Sequence, residues 1–598
     1  MYPIQQHKFH IPVMGLAYTI DSPVKVARYG IASVISIVED NLIEMMRGYY
    51  YPIAKKEFFP IPTSENDYRA KRITDYLNLV NTLVHDQVEK LKKTAFETGS
   101  EIVKYFTMLP DDNTIKKIYR QMTQVYDLAE VEKMQTFLRS QIVAGSIDVN
   151  IMTKLDRNTY DKEGGLLEDT SDAVAALRGY AKSKLSNSSV IFSAGMNPRL
   201  FNYLENCKEF DADENGFFAK KIVIKVSDYR SALIQGKFLA KKGIWVSEFR
   251  VESGLNCGGH AFATNGYLMG PILEEFAAKK EELIDTLFLL YVQALETKGR
   301  ICPSKPYSIK ITAQGGIGTF AEADFLHSYY GIDSSGWGTP FLLVPEATTV
   351  DELTLEQLCN AKQTDLVLSN HSPLGVRFHY LKGTSSDMEK KERIRRGRPG
   401  SPCTEKFLSS NTEFTELPIC TASVKYQDLK IKQLQTANLP EEQFQQQVSD
   451  VMEKECLCIG LSNPAAKLYQ RPFVKNLESV TICPGPNIAY FSKIVSLETM
   501  TDHIYGRTDI LKDTQRPHMF IAELRLYIQY LKEEIAADKG RILNNKRKKY
   551  YQEFYQNLTE GINYYHNLAG IAQSNRQQFL NELAIGQMEI DGLLAGIA

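Results

Sequence analysis

Two glycine-rich segments and one histidine could carry chemistry. In AQGGIGTFAEADFL (313–326) a strand-like run leads into Gly315-Gly316-Ile317-Gly318, and a helical pattern follows at once. Glycines there let backbone N–H groups close on a phosphate, and the helix N-terminus favours negative charge. A second turn, Gly336-Trp337-Gly338-Thr339, adds a hydroxyl. Either turn alone reads as a tight turn and nothing more; the two together point to a phosphorylated ligand. VESGLNCGGHAF (251–262) sets Gly258 and Gly259 beside His260. Histidine is the side chain best suited to take a proton near neutral pH. A lone loop histidine commonly has no chemical task, and its flanking glycines set this one apart.

These segments must be held by something regular. Apolar, β-branched runs that read as strands occur at 10–19 (HIPVMGLAYT), 31–38 (IASVISIV), 146–153, 188–194, 221–227, 244–251, 308–313 and 337–344 (WGTPFLLV), eight in all. Most gaps between them hold helix-length segments such as SDAVAALRGYAKSKL and YRSALIQGKFLAKKGI. Alternation of this kind demands a parallel sheet with helical crossovers, and eight units predict closure into a (β/α)8 TIM barrel. Periodicity alone also suits an open doubly wound sheet; glycines clustered just after strands favour the barrel. The glycine turns then follow strands seven and eight, the usual phosphate grip, and His260 follows strand six at the same mouth.

The remaining sequence divides around that barrel. Residues 1–63 open it with two strands, and 64–140 is a helical insertion after strand 2, with Tyr76, Leu79, Val80, Leu83 and Val84 at helical spacing. Residues 141–385 complete the barrel. A C-terminal α/β extension follows at 386–520, with two or three further strands expected, and a helical tail at 521–598. No repeat of fixed period appears.

The mouth motifs resemble those of the nitronate monooxygenase (2-nitropropane dioxygenase) family of FMN-dependent TIM barrels, which includes the FabK-type flavin enoyl-ACP reductases. The resemblance covers about 10–45 and 140–380. IPVMGLAYTIDSPVKVARYGIASVISI is similar to the family's opening, IDVNIM to its third strand, and VIKVSDYRSA to a strand–helix junction that carries a lysine in some members. GLNCGGH parallels its Gly-x-Glu-Ala-Gly-Gly-His signature; AQGGIG and GWGTPFLLVPE parallel its phosphate loops. The resemblance implies that Met14 and Gly15 lie against a flavin ring, and that Asn150 and Lys225 bond its polar edge. Gly258 and Gly259 bring the backbone close; Gly315, Gly316, Gly318, Gly338 and Thr339 hold the phosphate; and His260 accepts the substrate's proton or, as a donor, orients the substrate. The implied function is an FMN-dependent oxidoreductase acting on a nitronate-like or activated carbon acid. The alternatives are an NAD(P)H-dependent reductase of an activated C=C bond and a flavin-binding assembly protein. Asn256 and Cys257 depart from the family's Glu-Ala, and Trp337 stands where a smaller side chain is usual.

The other signals are weaker. Cys403, Cys420, Cys456, Cys458 and Cys483 could bind zinc or an iron–sulfur cluster, yet their spacing matches no regular ligand pattern, and free packed thiols are the plainer reading. RIRRGRPG (393–400) and NNKRKKYYQEFY (544–555) are the concentrated basic stretches, explained as well by solvated faces as by nucleic acid. The tail's aromatic stripe, Tyr527, Tyr530, Tyr550, Tyr551, Phe554 and Tyr555, is expected on the barrel or on a second copy in a homo-oligomer. His327, His371 and His379 could reach the mouth by position alone.

The 598 residues carry 70 Lys or Arg against 72 Asp or Glu, for a net charge of −2, with 43% hydrophobic residues. Those proportions exclude a disordered or fibrous chain and argue against a dedicated nucleic-acid binder. Nine cysteines in so long a chain are no disulfide scaffold, and there is neither a signal-peptide pattern nor an apolar run long enough for a membrane. A cytoplasmic protein acting on a small-molecule or carrier-tethered substrate is expected.

Overall fold

A computed structural model describes all residues except 1–5, 38, 153–155, 161–162, 164, 260–263, 404, 475–476, 513–514, 539–543, 569–575 and 596–598. Eight parallel strands close into a barrel in chain order: β1 Phe9–Ile11, β2 Ala32–Ser36, β3 Ile147–Ile151, β4 Ser188–Phe192, β5 Lys220–Val226, β6 Glu248–Glu252, β7 Lys310–Gln314 and β8 Ser334–Gly336. The seam is made where Phe9 and His10 of β1 lie opposite Ser335 and Gly336 of β8. An antiparallel pair, β9 Leu366–Ser369 and β10 Phe378–Leu381, follows the barrel.

Helices fill the crossovers and surround them. They are α1 Ser22–Val26, α2 Asp40–Ile53, α3 Tyr68–Lys92, α4 Glu101–Met108, α5 Thr114–Met122, α6 Leu128–Ser140, α7 Asp172–Ala181, α8 Pro198–Tyr203, α9 Tyr229–Ala240 and α10 Met269–Thr297. After β7 come α11 Phe320–Tyr329, α12 Glu352–Asn360, α13 Ser385–Arg395, α14 Val424–Gln435, α15 Glu441–Glu453 and α16 Leu457–Leu468. The chain ends with α17 Leu497–Ile504, α18 Met519–Ala537, α19 Asn545–Leu568 and α20 Arg576–Ala595. Helices α3 to α6 stand where the helical insertion is expected, and the tail is helical.

Three expectations are corrected, all at prolines. The first strand stops at Ile11 because Pro12 has no N–H for the ladder. WGTPFLLV is not the eighth strand: Ser334–Gly336 is, and Thr339–Leu343 coils into a 3₁₀ helix begun by Pro340. Beyond β10 the described residues form isolated bridges and no further strand. The segment TICPGPNIAYFS runs without regular structure into a 3₁₀ helix over Pro486–Tyr490, since its Pro-Gly-Pro cannot sustain a ladder.

The barrel interior is layered. Its N-terminal end holds a cavity of about 310 Å³ lined by His10, Asp148, Lys221, Glu248, Arg250 and Lys310, where Arg250 pairs with Glu248 at 2.7 Å. Polar groups at that end serve stability. Val34, Ile191 and Val223 pack with Val13 into an apolar layer of their own. Outside, one continuous core reaches from Phe9 in β1 to Ile590 in α20, so the insertion and the tail share it.

The tail grips the loop after β6. The Gly254 N–H donates to the Tyr527 hydroxyl at 3.1 Å, and the Gly270 N–H to the Tyr565 hydroxyl at 3.0 Å. Glu523 accepts from the Ser253 hydroxyl at 2.6 Å and from the Met269 N–H at 2.8 Å. Burial pushes the Glu523 carboxyl up to about 7 from 4.5. A group held protonated in this way stabilises the fold fully below about pH 4.5, and its contribution is lost as pH rises to about 7. At about 1.4 kcal/mol per pH unit the full loss approaches about 3.5 kcal/mol. Glu523→Gln cannot titrate. Urea unfolding at about pH 5 and pH 8 is therefore expected to move the stability difference in the variant's favour by about 2–3 kcal/mol; a pH-independent difference contradicts this role.

The apolar run LIDTLFLLYVQAL lies inside α10, where Leu283, Ile284, Leu287, Tyr291 and Leu295 form one buried face. Among the described residues no helix is long and apolar enough to cross a membrane. The basic stretches are largely paired: Arg395 and Arg396 with Glu392, Arg547 with Glu534 and Asp538.

Candidate active site at the barrel mouth

The strands end in polar side chains that face one another. Ser36, Asn150, Lys225, Glu252 and Gln314 are at or near the C-terminal ends of β2, β3, β5, β6 and β7, and register sets Ser36 opposite Asn150 and Glu252 opposite Gln314. A cavity of about 130 Å³ opens over them. Gly15, Ser36, Asn150, Lys225, Glu252, Asn256, Gly258 and Gly259 line it, with Leu16, Phe378, Leu408, Leu457, Cys458 and Leu461 as an apolar wall. Ligand pockets usually begin at roughly 300 Å³. Side chains of the extension take up part of this mouth.

Glu252 is the hub. Lys225 pairs with it at 3.1 Å, Gln314 donates to it at 2.5 Å and Asn256 at 2.8 Å. Across the mouth, the Asn150 Oδ1 is buried with no hydrogen-bond partner. A buried acceptor left unpaired is costly, and a ligand donor would relieve it.

Backbone geometry supplies the floor. Gly258 has φ +80°, and a Cβ there would stand 2.1 Å from Met14 Cα, so only glycine lets the two turns meet. Its N–H donates to the Cys483 carbonyl at 3.0 Å. Gly15 lines the cavity, whereas Met14 is fully buried, with Cγ 3.6 Å from where a Gly338 Cβ would be. His260 lies outside the described residues.

The two glycine turns converge on the segment Ser253–Cys257. A Cβ on Gly315 would meet Ser253, one on Gly316 would meet Leu255 at 2.5 Å, and one on Gly338 would meet Cys257. Here the extension intervenes. The Thr339 hydroxyl donates to the Pro484 carbonyl at 2.7 Å, and the Asn487 side-chain amide donates to the Gly316 and Ile317 carbonyls. Arg516 donates to the Gly316 carbonyl at 2.5 Å and pairs with Glu322 at 2.7 Å. Glu322 in turn accepts the Gly318 N–H at 2.9 Å, at the start of α11. Burial alone would raise the Glu322 carboxyl, but Arg516 beside it holds it below the usual range. An anion thus already stands at that helix N-terminus.

Tested against FMN, the mouth and the turns differ. The orphaned acceptor of Asn150, the Lys225 cation and the glycine floor fit the polar edge of a planar ring. The turns meant for the phosphate are engaged within the chain, so a phosphate does not fit them as they stand.

Sequence reasoning missed Glu252, Gln314, Asn487 and Arg516. Glu252 and Gln314 were legible as polar ends of apolar strands; nothing local marks Asn487 or Arg516. Of the further histidines, His379 contacts the mouth turn through the Gly254 carbonyl at 2.7 Å, while His371 pairs with Glu453 and His327 with the Ile332 carbonyl. Trp337 is fully buried and donates to the Ser335 hydroxyl.

The architecture is that of a closed parallel (β/α)8 barrel with polar groups at its C-terminal mouth. No family model matches the chain, and comparison with curated proteins gives no match. Among solved structures the chain is similar to the enoyl reductase domain of MlnA from the macrolactin biosynthesis cluster of Bacillus amyloliquefaciens. That likeness has 15% identity and a TM-score of 0.30, and covers 71% of this chain and 88% of that one. At this TM-score it carries no functional argument.

Proposed function

We propose that the chain is an FMN-dependent oxidoreductase that seats the flavin ring at the barrel mouth. The observation that carries this reading is the buried, unpartnered Asn150 Oδ1, set across the mouth from the Lys225–Glu252 pair. Bound flavin would supply hydride and electron chemistry that side chains lack. Gly15, Gly258 and Gly259 bring the backbone close; Asn150 offers an acceptor and Lys225 a cation, which Glu252 orients. The wall of Leu16, Phe378, Leu408, Leu457 and Leu461 keeps water from the reacting atoms and favours an apolar substrate with an activated carbon. His260 remains the proposed proton acceptor, on the strength of the sequence motif. Oxidation of a nitronate-like carbon acid and NAD(P)H-dependent reduction of an activated C=C bond both suit this mouth.

Asn150→Ala separates ligand binding from folding. The orphaned acceptor stabilises nothing in the ligand-free fold, so thermal stability is expected to hold or rise. FMN affinity, followed by quenching of flavin fluorescence, is expected to fall about tenfold, the worth of about one hydrogen bond. Unchanged affinity would sink the ring assignment.

A further inference from the structure

The foot of the barrel, the end away from the mouth, carries a cavity with more room than the mouth's own, about 310 Å³ against about 130 Å³. Its carboxylates brace the closure, and they are satisfied within the chain. Glu248 accepts from the Arg250 Nε at 2.8 Å and from the Thr312 hydroxyl at 2.6 Å. Asp148 accepts from the Ser189 N–H at 2.8 Å and from the Ser146 hydroxyl at 3.0 Å. The surplus is of donors. Trp245, only 2% exposed, lines the cavity, and its indole N–H is buried with no hydrogen-bond partner. Lys221 gives one donor of its ammonium to Asn187 Oδ1 at 2.6 Å, and Lys310 lines the same space. Three cations (Lys221, Arg250 and Lys310) face two carboxylates (Asp148 and Glu248), an excess of one positive charge.

Another part of the wall is aromatic. Tyr307 stands edge-on to Phe218, with ring centroids 4.9 Å apart, and to Trp245 at 5.8 Å. Gly216 has φ +78°, and a Cβ there would stand 2.9 Å from Tyr307 Cε1, so glycine is what lets the turn before β5 lie on that ring. Groups that only brace a barrel need neither an aromatic wall nor a donor left over, since a buried donor without a partner costs about 1–3 kcal/mol. We propose that this cavity binds a small aromatic carboxylate: the rings take its flat face, and Lys221, Lys310 and the Trp245 N–H take its anionic end. The single negative charge of such a ligand matches the excess, and about 300 Å³ suits a body of about one or two rings. Occupancy ties β5 and β7 to the loop before β6, so it stabilises the fold. The site lies at the opposite end of the barrel from the mouth and is independent of the flavin reading.

Benzoate is the probe. The chain has two tryptophans, so W337F leaves Trp245 as the sole indole reporter. Titration of the full-length variant is expected to change Trp245 emission saturably, with a Kd of about 1 mM or tighter, and to raise the unfolding temperature. Benzamide, which lacks the charge, and acetate, which lacks the ring, are expected to bind about tenfold more weakly or worse. Lys221→Met and Lys310→Met are each expected to weaken benzoate by about tenfold or more. Should W337F fail to fold, calorimetric titration of the wild-type protein and the two lysine variants decides the matter. No saturation by about 10 mM benzoate overturns the proposal. So does folded K221M and K310M protein that binds benzoate as tightly as wild type, or benzoate released by FMN, which would put it at the mouth.

Discussion

Arg516→Met is expected to lower the unfolding free energy by about 3–5 kcal/mol, the usual cost of stranding one member of a buried ion pair. The side chains of Arg516 and Glu322 are only 4% and 2% exposed and stand 2.7 Å apart. Arg516 also donates to the Asn487 side-chain oxygen at 3.0 Å and to the Gly316 carbonyl, while Glu322 accepts the N–H groups of Gly318 and Met519. One pair therefore joins the loop after β7, the segment around Asn487 and the start of α18. Methionine fills the volume but leaves the Glu322 carboxylate buried without a cation. Denaturant unfolding at neutral pH measures the loss. A double variant, R516M/E322Q, is expected to be more stable than R516M, because the stranded charge is gone. A loss below 1 kcal/mol in R516M would show that the pair is not what clamps the turn.

Lys225→Met is expected to leave a flavin bound but to make it harder to reduce. A cation beside the ring stabilises the negative charge gained on reduction, and its removal also leaves the Glu252 carboxylate facing the same ring. A loss of about 1.4–3 kcal/mol in that stabilisation shifts a two-electron midpoint potential by about 30–60 mV in the negative direction. Because Glu252 is the partner that turns harmful, K225M/E252Q is expected to recover about half of the shift. Spectroelectrochemical titration of the flavin-loaded variants reads this without knowledge of the substrate. An unchanged potential in K225M would remove Lys225 from the ring's edge.

What could be read from the sequence followed what is local. Seven of the eight apolar runs read as strands overlap barrel strands, and with the helical segments between them they gave the barrel and its order, because each strand and crossover writes its own period into the chain; the eighth strand, Ser334–Gly336, lies just before the run read for it. Boundaries failed at Pro12, at Pro340 and in the Pro484-Gly485-Pro486 turn, where one missing N–H outweighs an apolar run. The mouth was legible through Asn150 and Lys225 at strand ends and through Gly15, Gly258 and Gly259 in the loops that follow β1 and β6, all within the family-like motifs. The state of the glycine turns was not. Gly315, Gly316, Gly318, Gly338 and Thr339 read as an open phosphate grip, but Pro484, Asn487 and Arg516 come from about 150 to 200 residues further along and engage it.

The most direct measurement of the central claim is an anaerobic visible spectrum of the protein reconstituted with FMN and freed of unbound cofactor, recorded before and after NADH or NADPH and then air. The account expects flavin bands at about one per chain. Bleaching by a pyridine nucleotide would direct the search to unsaturated substrates, and bands that ignore both nucleotides would direct it to carbon acids that reduce the flavin themselves. Protein that emerges colourless, with no flavin retained, would contradict the reading of the barrel mouth as a flavin site.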